Sequence, residues 1–299
     1  MSIRRWRTAG IAIFAVGLLA VWASGSQAAM KIGFSVSTQV NPFYKAMADG
    51  VRDQAKADGM EVTVLNAEDK LEKQIADVED LIQKKIDVLI INATHDGAAA
   101  VLNKAADAGI PVITLQRGVP GAKVVSHIGT DNVVIGREGA EWIGKKLNGK
   151  GNVVVMEGIP GAASSEDRKK GSAEVWPKYP GIKIVAQQSG KYDRAVALGV
   201  MENILQAQPQ IDAVFCFNDE MAMGALAAVK AAKRTGILIT GMDANKDARE
   251  AVAKGELAMT IALPPYDIGK TGVLHAKWLQ SKEKPVPARF VMPVSFITK

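Results

Sequence analysis

The sequence predicts an α/β protein built as two similar, doubly wound parallel-sheet lobes. Three observations carry that expectation. Short, continuously apolar runs alternate with amphipathic segments along the chain, as they do where parallel strands are buried under helices on both faces. The pattern repeats: Ile86-Asp87-Val88 opens one run and Ile211-Asp212-Ala213 another, each followed roughly 25 residues on by a further run, after Gly109-Ile110 and Thr235-Gly236. The chain has 299 residues, enough for two modest cores. A single large doubly wound sheet fits the alternation too; the repeat favours two lobes, with a boundary near Thr130-Asp131.

The first segment stands outside that plan. Arg4, Arg5 and Arg7 precede an apolar run from Ala9 to Ala23, and Ser26-Gln27-Ala28 places small residues at the −3 and −1 positions of a cleavage site. Residues 1–28 therefore read as a secretory signal peptide, with a retained N-terminal anchor as the alternative. Without those three arginines the formal net charge falls from +6 to +3. No basic run interleaved with aromatics remains, which argues against nucleic acid as a partner. Cys216 is the only cysteine and lies in the apolar run Val214-Phe215-Cys216-Phe217, so no intramolecular disulfide can form and the cores must carry stability.

The strands expected in the first half are Lys31–Val36, Val62–Asn66, Val88–Asn92 and Val112–Leu115, all read as continuous apolar runs buried on both faces. Between them, Asn41-Pro42 gives a helix N-cap followed by proline at the first helical position, and Met47, Val51 and Ala55 recur at four-residue spacing. Ile75, Val78 and Ile82 mark one face of a second helix, and Asp96 starts a third. The second half repeats the plan with strands at Asn152–Glu157, Lys183–Gln187, Ala213–Phe217 and Leu238–Gly241, and Asp219 starts the helix that answers the one at Asp96.

In open parallel sheets, ligands bind outside the carboxyl ends of the strands. Those ends carry polar residues in both halves. Ser37, Thr38 and Asn41 follow the first strand, Asn92 closes the third, and Gln116-Arg117 closes the fourth. Arg168 follows the Gly158–Gly161 loop, Tyr192 follows the sixth strand, Asn218-Asp219 closes the seventh and Asp243 the eighth. An Asn or Asp ahead of a helix is often only a cap, so Asn41, Asn218 and Asp219 each have a purely structural alternative. Asn, Gln, Asp and Arg present paired groups in one plane, suited to neighbouring hydroxyls, and Phe43, Tyr44 and Tyr192 add flat apolar faces. Phe43 also reads as a core or staple position. Arg117 and Asp243 are expected to satisfy each other when no ligand is present.

At these residues the chain resembles the periplasmic sugar-binding proteins of ABC importers, and among them the ribose-binding type (type I periplasmic binding proteins), over the whole mature length. The resemblance rests on Val36-Ser37-Thr38 with Asn41-Pro42-Phe43-Tyr44, on Ile91-Asn92-Ala93-Thr94, and on Ile110-Pro111-Val112-Ile113-Thr114-Leu115 ahead of Gln116-Arg117. Val125-Ser126-His127-Ile128, Asn218-Asp219-Glu220-Met221-Ala222-Met223-Gly224-Ala225 and Ala258-Met259-Thr260-Ile261-Ala262 extend it. It implies sugar contacts from Ser37, Asn41, Phe43, Tyr44, Asn92 and Arg117 in one lobe and from Arg168, Tyr192, Asn218 and Asp243 in the other. Three positions depart from the ribose pattern: Gln116 stands where it implies aspartate, Leu263 where it implies glutamine, and Met242 where it implies an aromatic. Gln116 and Leu263 remain in the expected ligand set, and the ligand stays open between a ribose-like pentose, a hexose relative and a shorter or acyclic polyol.

The resemblance further implies three crossings between lobes, near Thr130, Leu263 and Met292. The N-terminal lobe would then comprise 29–130 and 264–291, and the C-terminal lobe 131–263 and 292–299, hinged so that closure buries the ligand. It implies a periplasmic location, a membrane permease as partner, a monomeric state and no cofactor. A chemoreceptor or sensor kinase is the alternative recipient.

Catalysis finds no motif. Ser35 to Asn41 lacks the glycines of a dinucleotide turn, and Pro264 breaks the phosphate-loop match that Gly269-Lys270-Thr271 suggests. His95, His127 and His275 have no metal-ligand spacing and flank no nucleophile, so neither an enzyme nor a metal site is expected. A transcription regulator with this core would need a helix-turn-helix where the signal peptide lies.

Overall fold

The computed structural model describes residues 29–299, so the signal-peptide expectation lies outside the described residues. Two six-stranded sheets are present, each covered by helices. The first takes strands β1 (Lys31–Val36), β2 (Glu61–Asn66), β3 (Val88–Ile91), β4 (Val112–Leu115), β5 (Ser126–Gly129) and β11 (Arg289–Val291), in the order β11-β5-β4-β3-β1-β2. The second takes β6 (Lys150–Glu157), β7 (Gly181–Ser189), β8 (Ala213–Cys216), β9 (Leu238–Asp243), β10 (Met259–Ala262) and β12 (Ser295–Thr298), in the order β12-β10-β9-β8-β6-β7. All neighbours run parallel except β12, which is antiparallel to β10. The two-lobe reading holds, and the single-sheet alternative falls.

The repeat seen in sequence has a contact to match. Asp87 Oδ2 accepts from the Lys31 backbone N–H at 2.7 Å, and Asp212 Oδ2 accepts from the Asn152 N–H at 2.7 Å. Each aspartate thus pins the start of the first strand of its own lobe.

Central strands are wholly buried: Val88, Leu89, Ile90 and Ile91 in one sheet and Ala213, Val214, Phe215 and Cys216 in the other. The continuous-burial reading fails at β2 and β7. Glu61 and Thr63, and likewise Lys183, Gln187 and Gln188, are exposed, because both strands lie at sheet edges where part of the surface meets water. β5, β10, β11 and β12 were not among the eight expected strands. They are three or four residues long, too short for a periodic signal, and β11 is exposed along its length.

Helices α1 (Pro42–Ala57), α2 (Leu71–Gln83), α3 (Ala99–Asp107) and α9 (Pro265–Ser281) cover the first sheet, and α4 (Asn132–Lys146), α5 (Ala163–Ala173), α6 (Arg194–Ala207), α7 (Asp219–Ala231) and α8 (Lys246–Lys254) the second. Asn41 caps α1 as expected, its side chain accepting from the Phe43 N–H. Asp96 opens a single 3₁₀ turn rather than the α-helix, which begins at Ala99; His95 Nδ1 caps that turn through the Gly97 N–H. α1 and α9 cross at two glycines: a Cβ on Gly50 would overlap the Tyr266 carbonyl, and one on Gly269 the Met47 carbonyl.

The chain passes between sheets three times: from β5 into α4 across Thr130-Asp131, from β10 into α9 across Leu263-Pro264, and from β11 to β12 through 292–294. Met292 N–H donates to the Gly129 carbonyl at 2.8 Å, holding the third pass against the first.

Candidate ligand site between the lobes

The carboxyl ends of both sheets face one another, and their loops deliver the polar residues. From the first lobe, Asn41, Phe43 and Tyr44 come from the start of α1, and Gln116 and Arg117 from the end of β4. From the second, Arg168 comes from α5, Tyr192 from the turn before α6, Asn218 from the cap of α7 and Asp243 from the end of β9. Asn41, Phe43, Tyr44, Gln116, Arg168, Tyr192, Asn218 and Asp243 together line one small inner cavity of about 10 Å³. Such a space holds no more than a water, so side chains occupy most of the centre. It adjoins an outer cavity of about 220 Å³ that reaches the cleft mouth and is lined by Arg117, Asn41, Tyr44 and Tyr192 with Thr38, Asp69, Ile159, Lys191 and Glu220.

Backbone geometry aims several of these groups. Gln116, Tyr192 and Asp243 have φ of 61°, 58° and 121°, in the region that L-residues seldom adopt. Strain of that kind, about 1–3 kcal/mol per residue, persists where surrounding structure over-determines it.

Arg117 is 1% exposed. Its Nη1 donates to the carbonyls of Ala93 at 3.0 Å and Thr94 at 3.4 Å, and its Nη2 to the Tyr44 hydroxyl at 2.5 Å. The guanidinium lies 5.0 Å from the Tyr44 ring centroid and 5.5 Å from that of Tyr192, so it sits between aromatics of the two lobes. Its Nε is buried without a partner. The expected Arg117–Asp243 pair is not made: Arg117 is committed to carbonyls and Tyr44, and the charge that most lowers the Asp243 pKa is Arg168.

Arg168 donates through Nε to Asn132 Oδ1 at 3.0 Å and through Nη1 to the Phe217 carbonyl. Burial drives the Asp243 carboxyl well above the usual range, and neighbouring Asp219 pushes the same way. Asp219, also buried, is raised to about 7 although it accepts from the Thr260 hydroxyl and the Asn245 N–H, both at 2.7 Å. Burial likewise raises the Tyr44 phenol, so it stays a neutral donor and acceptor.

The expected residues divide by placement. Asn41 and Asn218 do cap helices, through Phe43 N–H and Met221 N–H at 2.9 Å each, which engages their oxygens; Asn218 Nδ2 also donates to the Tyr192 carbonyl at 3.4 Å. Phe43 is buried edge-on to Tyr44 at 5.2 Å and also forms part of the inner cavity wall. Ser37 and Asn92 are on neither cavity wall. Ser37 Oγ donates to Asn92 Oδ1 at 2.7 Å, and Asn92 Nδ2 to the Leu115 carbonyl at 2.9 Å, tying three strand ends together beneath the site. Leu263 is buried at the second pass and also lines neither cavity. Gln116 reaches the inner cavity with its amide already used: Oε1 accepts from Thr130 N–H at 3.1 Å, and Nε2 donates to Thr130 Oγ1 at 2.9 Å and Asn132 Oδ1 at 3.4 Å.

Asn132 was missed in the sequence. Its Oδ1 receives Gln116 from one lobe and Arg168 from the other, and its place one residue past the expected boundary was the available signal. Asp69 and Lys191 at the mouth were missed because exposed charges in loops carry no pattern, and Glu220, half-buried in the first turn of α7 and paired with Arg194, was read only as part of the motif around Asn218. Of the histidines, His127 is held down to about 4 by burial and hydrogen-bonds Thr114 Oγ1, while His275 meets Ser126 Oγ. Among the described residues no group of three His, Cys, Asp or Glu is placed to hold a metal.

Residues 32–284 match the model of a periplasmic binding protein domain. The ribose import binding protein of Bacillus subtilis (strain 168) is 39% identical over 264 residues, 86% of each chain. A solute-binding protein of an ABC transporter from Bacillus halodurans C-125, solved with bound myo-inositol, superposes with a TM-score of 0.86 at 29% identity, covering 92% of this chain and 96% of that one. A fructose-binding periplasmic domain of a hybrid two-component system superposes with a TM-score of 0.86 at 30% identity, covering 90% and 91%.

Proposed function

We infer that this chain, which belongs to the periplasmic binding protein family, binds a sugar or polyol between its two lobes and delivers it to an ABC importer. Family members of this kind are solute-binding proteins, so the chain captures its ligand without transforming it. The observation that carries the ligand class is the convergence of five amide, carboxyl or guanidinium groups and three aromatic rings from both lobes on one enclosed space. Planar paired donors and acceptors match vicinal hydroxyls, and the rings cover C–H faces.

The hinge is read from the three passes between sheets: lobes of 29–130 with 264–291 and of 131–263 with 292–299, rotating about 130–131, 263–264 and 291–292. Closure brings Arg117 onto Tyr192 and buries the ligand, and the closed face is what the permease recognises. Export through residues 1–28 to the periplasm, and action as a monomer, belong to the same reading. The likeness to a fructose-binding domain of a two-component system supports a second recipient, a sensor, for the same loaded form.

A thermal-shift screen of pentoses, hexoses, inositols and linear polyols tests the ligand class. A ligand at a hundred times its Kd adds about 2.7 kcal/mol to stability and raises Tm visibly. A screen in which no hydroxyl-rich compound moves Tm overturns the reading.

A further inference from the structure

We infer, building on the sugar-binding reading above, that the ligand of this cleft carries a carboxylate: a polyhydroxy acid of the aldonate class rather than a neutral sugar or polyol. The centre of the cleft holds two guanidinium groups, Arg117 from one lobe and Arg168 from the other, 1% and 3% exposed. A guanidinium keeps its proton inside proteins, so both stay charged. Buried charges are ordinarily matched by an opposite charge in contact. Neither arginine has one among the described residues. Arg117 relies on two carbonyls, a phenol and two ring faces, and Arg168 on an amide oxygen and a carbonyl.

The nearby acids do not balance them. Asp243 is the one carboxylate on the inner wall, and it stands beside Asp219, so that burial and like charge hold the pair short of two full negative charges near neutrality. Asp69 stands on the outer wall at the cleft mouth, where desolvation raises its carboxyl and Arg117 lowers it, but among the described residues no ion pair joins it to that guanidinium. Gln116 brings an uncharged amide already spent on Thr130 and Asn132. What remains is surplus positive charge at the centre and one buried donor, Arg117 Nε, with nothing to receive it.

A ligand carboxylate answers both at once. It neutralises the surplus and accepts from the guanidinium edge in the paired geometry that arginine offers carboxylates. The remaining hydroxyls of the same molecule fall to Asn41, Asn218 and Asp243 on the inner wall, which Arg168 shares and Arg117 meets from the outer cavity.

Calorimetry on the purified protein tests this with matched compounds: D-ribonate against D-ribose and ribitol, and D-erythronate against erythritol. The acid is expected to bind at least tenfold more tightly than its neutral partners in one or both sets. Gln116→Asp, which adds a carboxylate beside the guanidinium groups, is expected to cut that preference at least tenfold. Equal or tighter binding of the neutral compounds, or a preference unmoved in Gln116→Asp, overturns the inference and leaves the sugar-binding reading standing. Failure of every acid, sugar and polyol to bind takes both down.

Discussion

The Arg117 guanidinium lies 5.5 Å from the centroid of the Tyr192 ring, so the most deeply buried cation of one lobe rests on an aromatic carried by the other. Tyr192 also lies 5.9 Å from the Arg168 guanidinium and shares a 3.1 Å hydrogen bond with Ser164 Oγ. A desolvated cation–π contact is worth about 2 kcal/mol and a neutral hydrogen bond about 1 kcal/mol. Tyr192→Ala is therefore expected to weaken ligand binding by about tenfold to a hundredfold, and Tyr192→Phe, which keeps the ring, by about fivefold or less. Calorimetry on the two variants checks the order; equal losses would mean that the ring does not hold the lobes together.

Asp219 and Asp243 set a pH dependence whose sign follows from their raised carboxyls. In the folded state they hold protons that the unfolded chain releases near pH 4. Where the folded state binds more protons, stability falls as pH rises. The loss runs from about pH 4 up through the folded value of Asp219, about 7. Asp219→Asn removes the charge and keeps an acceptor for the Thr260 hydroxyl but gives up the bond from the Asn245 N–H. Its Tm relative to that of the parent is expected to rise from pH 4–5 to pH 8. Parallel melting profiles across that range would show that Asp219 titrates like a solvated carboxylate.

Asn132 offers one oxygen to both lobes, 3.4 Å from Gln116 Nε2 and 3.0 Å from Arg168 Nε. Removing it leaves the Arg168 edge without its acceptor and detaches Gln116 from the far side of the first pass. Asn132→Ala is expected to lower affinity by at least tenfold. Asn132→Asp, which keeps the acceptor and adds a charge beside Arg168, is expected to recover the position of Arg168 and lose less. Identical affinities for Asn132→Ala and the parent would mean that this oxygen does not position Arg168 for the ligand.

How much of this was legible beforehand depends on what each residue needs from its neighbours. The βαβ plan was readable because burial on two faces forces continuous apolar runs, and Asp87 and Asp212 announced the duplication because each must sit at the same strand start. The convergence of Asn41, Arg168, Tyr192, Asn218 and Asp243 followed from strand ends alone. The partners of Arg117 did not. Carbonyls of Ala93 and Thr94 leave no side-chain signature, so a carboxylate at Asp243 looked like its natural mate. α5 was equally silent, since Ala163–Ala173 packs through small residues against α4 and shows no apolar stripe.

Gly269 shows how a motif can mean something other than it suggests. In Gly269-Lys270-Thr271 the glycine resembles the end of a phosphate loop, but it lies inside α9, where any Cβ would strike the Met47 carbonyl of α1. Gly50 makes the reciprocal approach to Tyr266, so the two helices touch backbone to backbone. Added bulk must push them apart, and overpacking of this kind costs about 1–3 kcal/mol. Gly269→Ala is expected to lower Tm by about 2–4 °C for each kcal/mol lost. Met47 lies one turn beyond Phe43 and Tyr44 on α1, so displacing α1 also moves the cleft wall, and Kd is expected to rise as Tm falls. A variant that melts with the parent would mean that α1 and α9 can separate without cost; one that melts normally but binds poorly would place Gly269 in the ligand pathway.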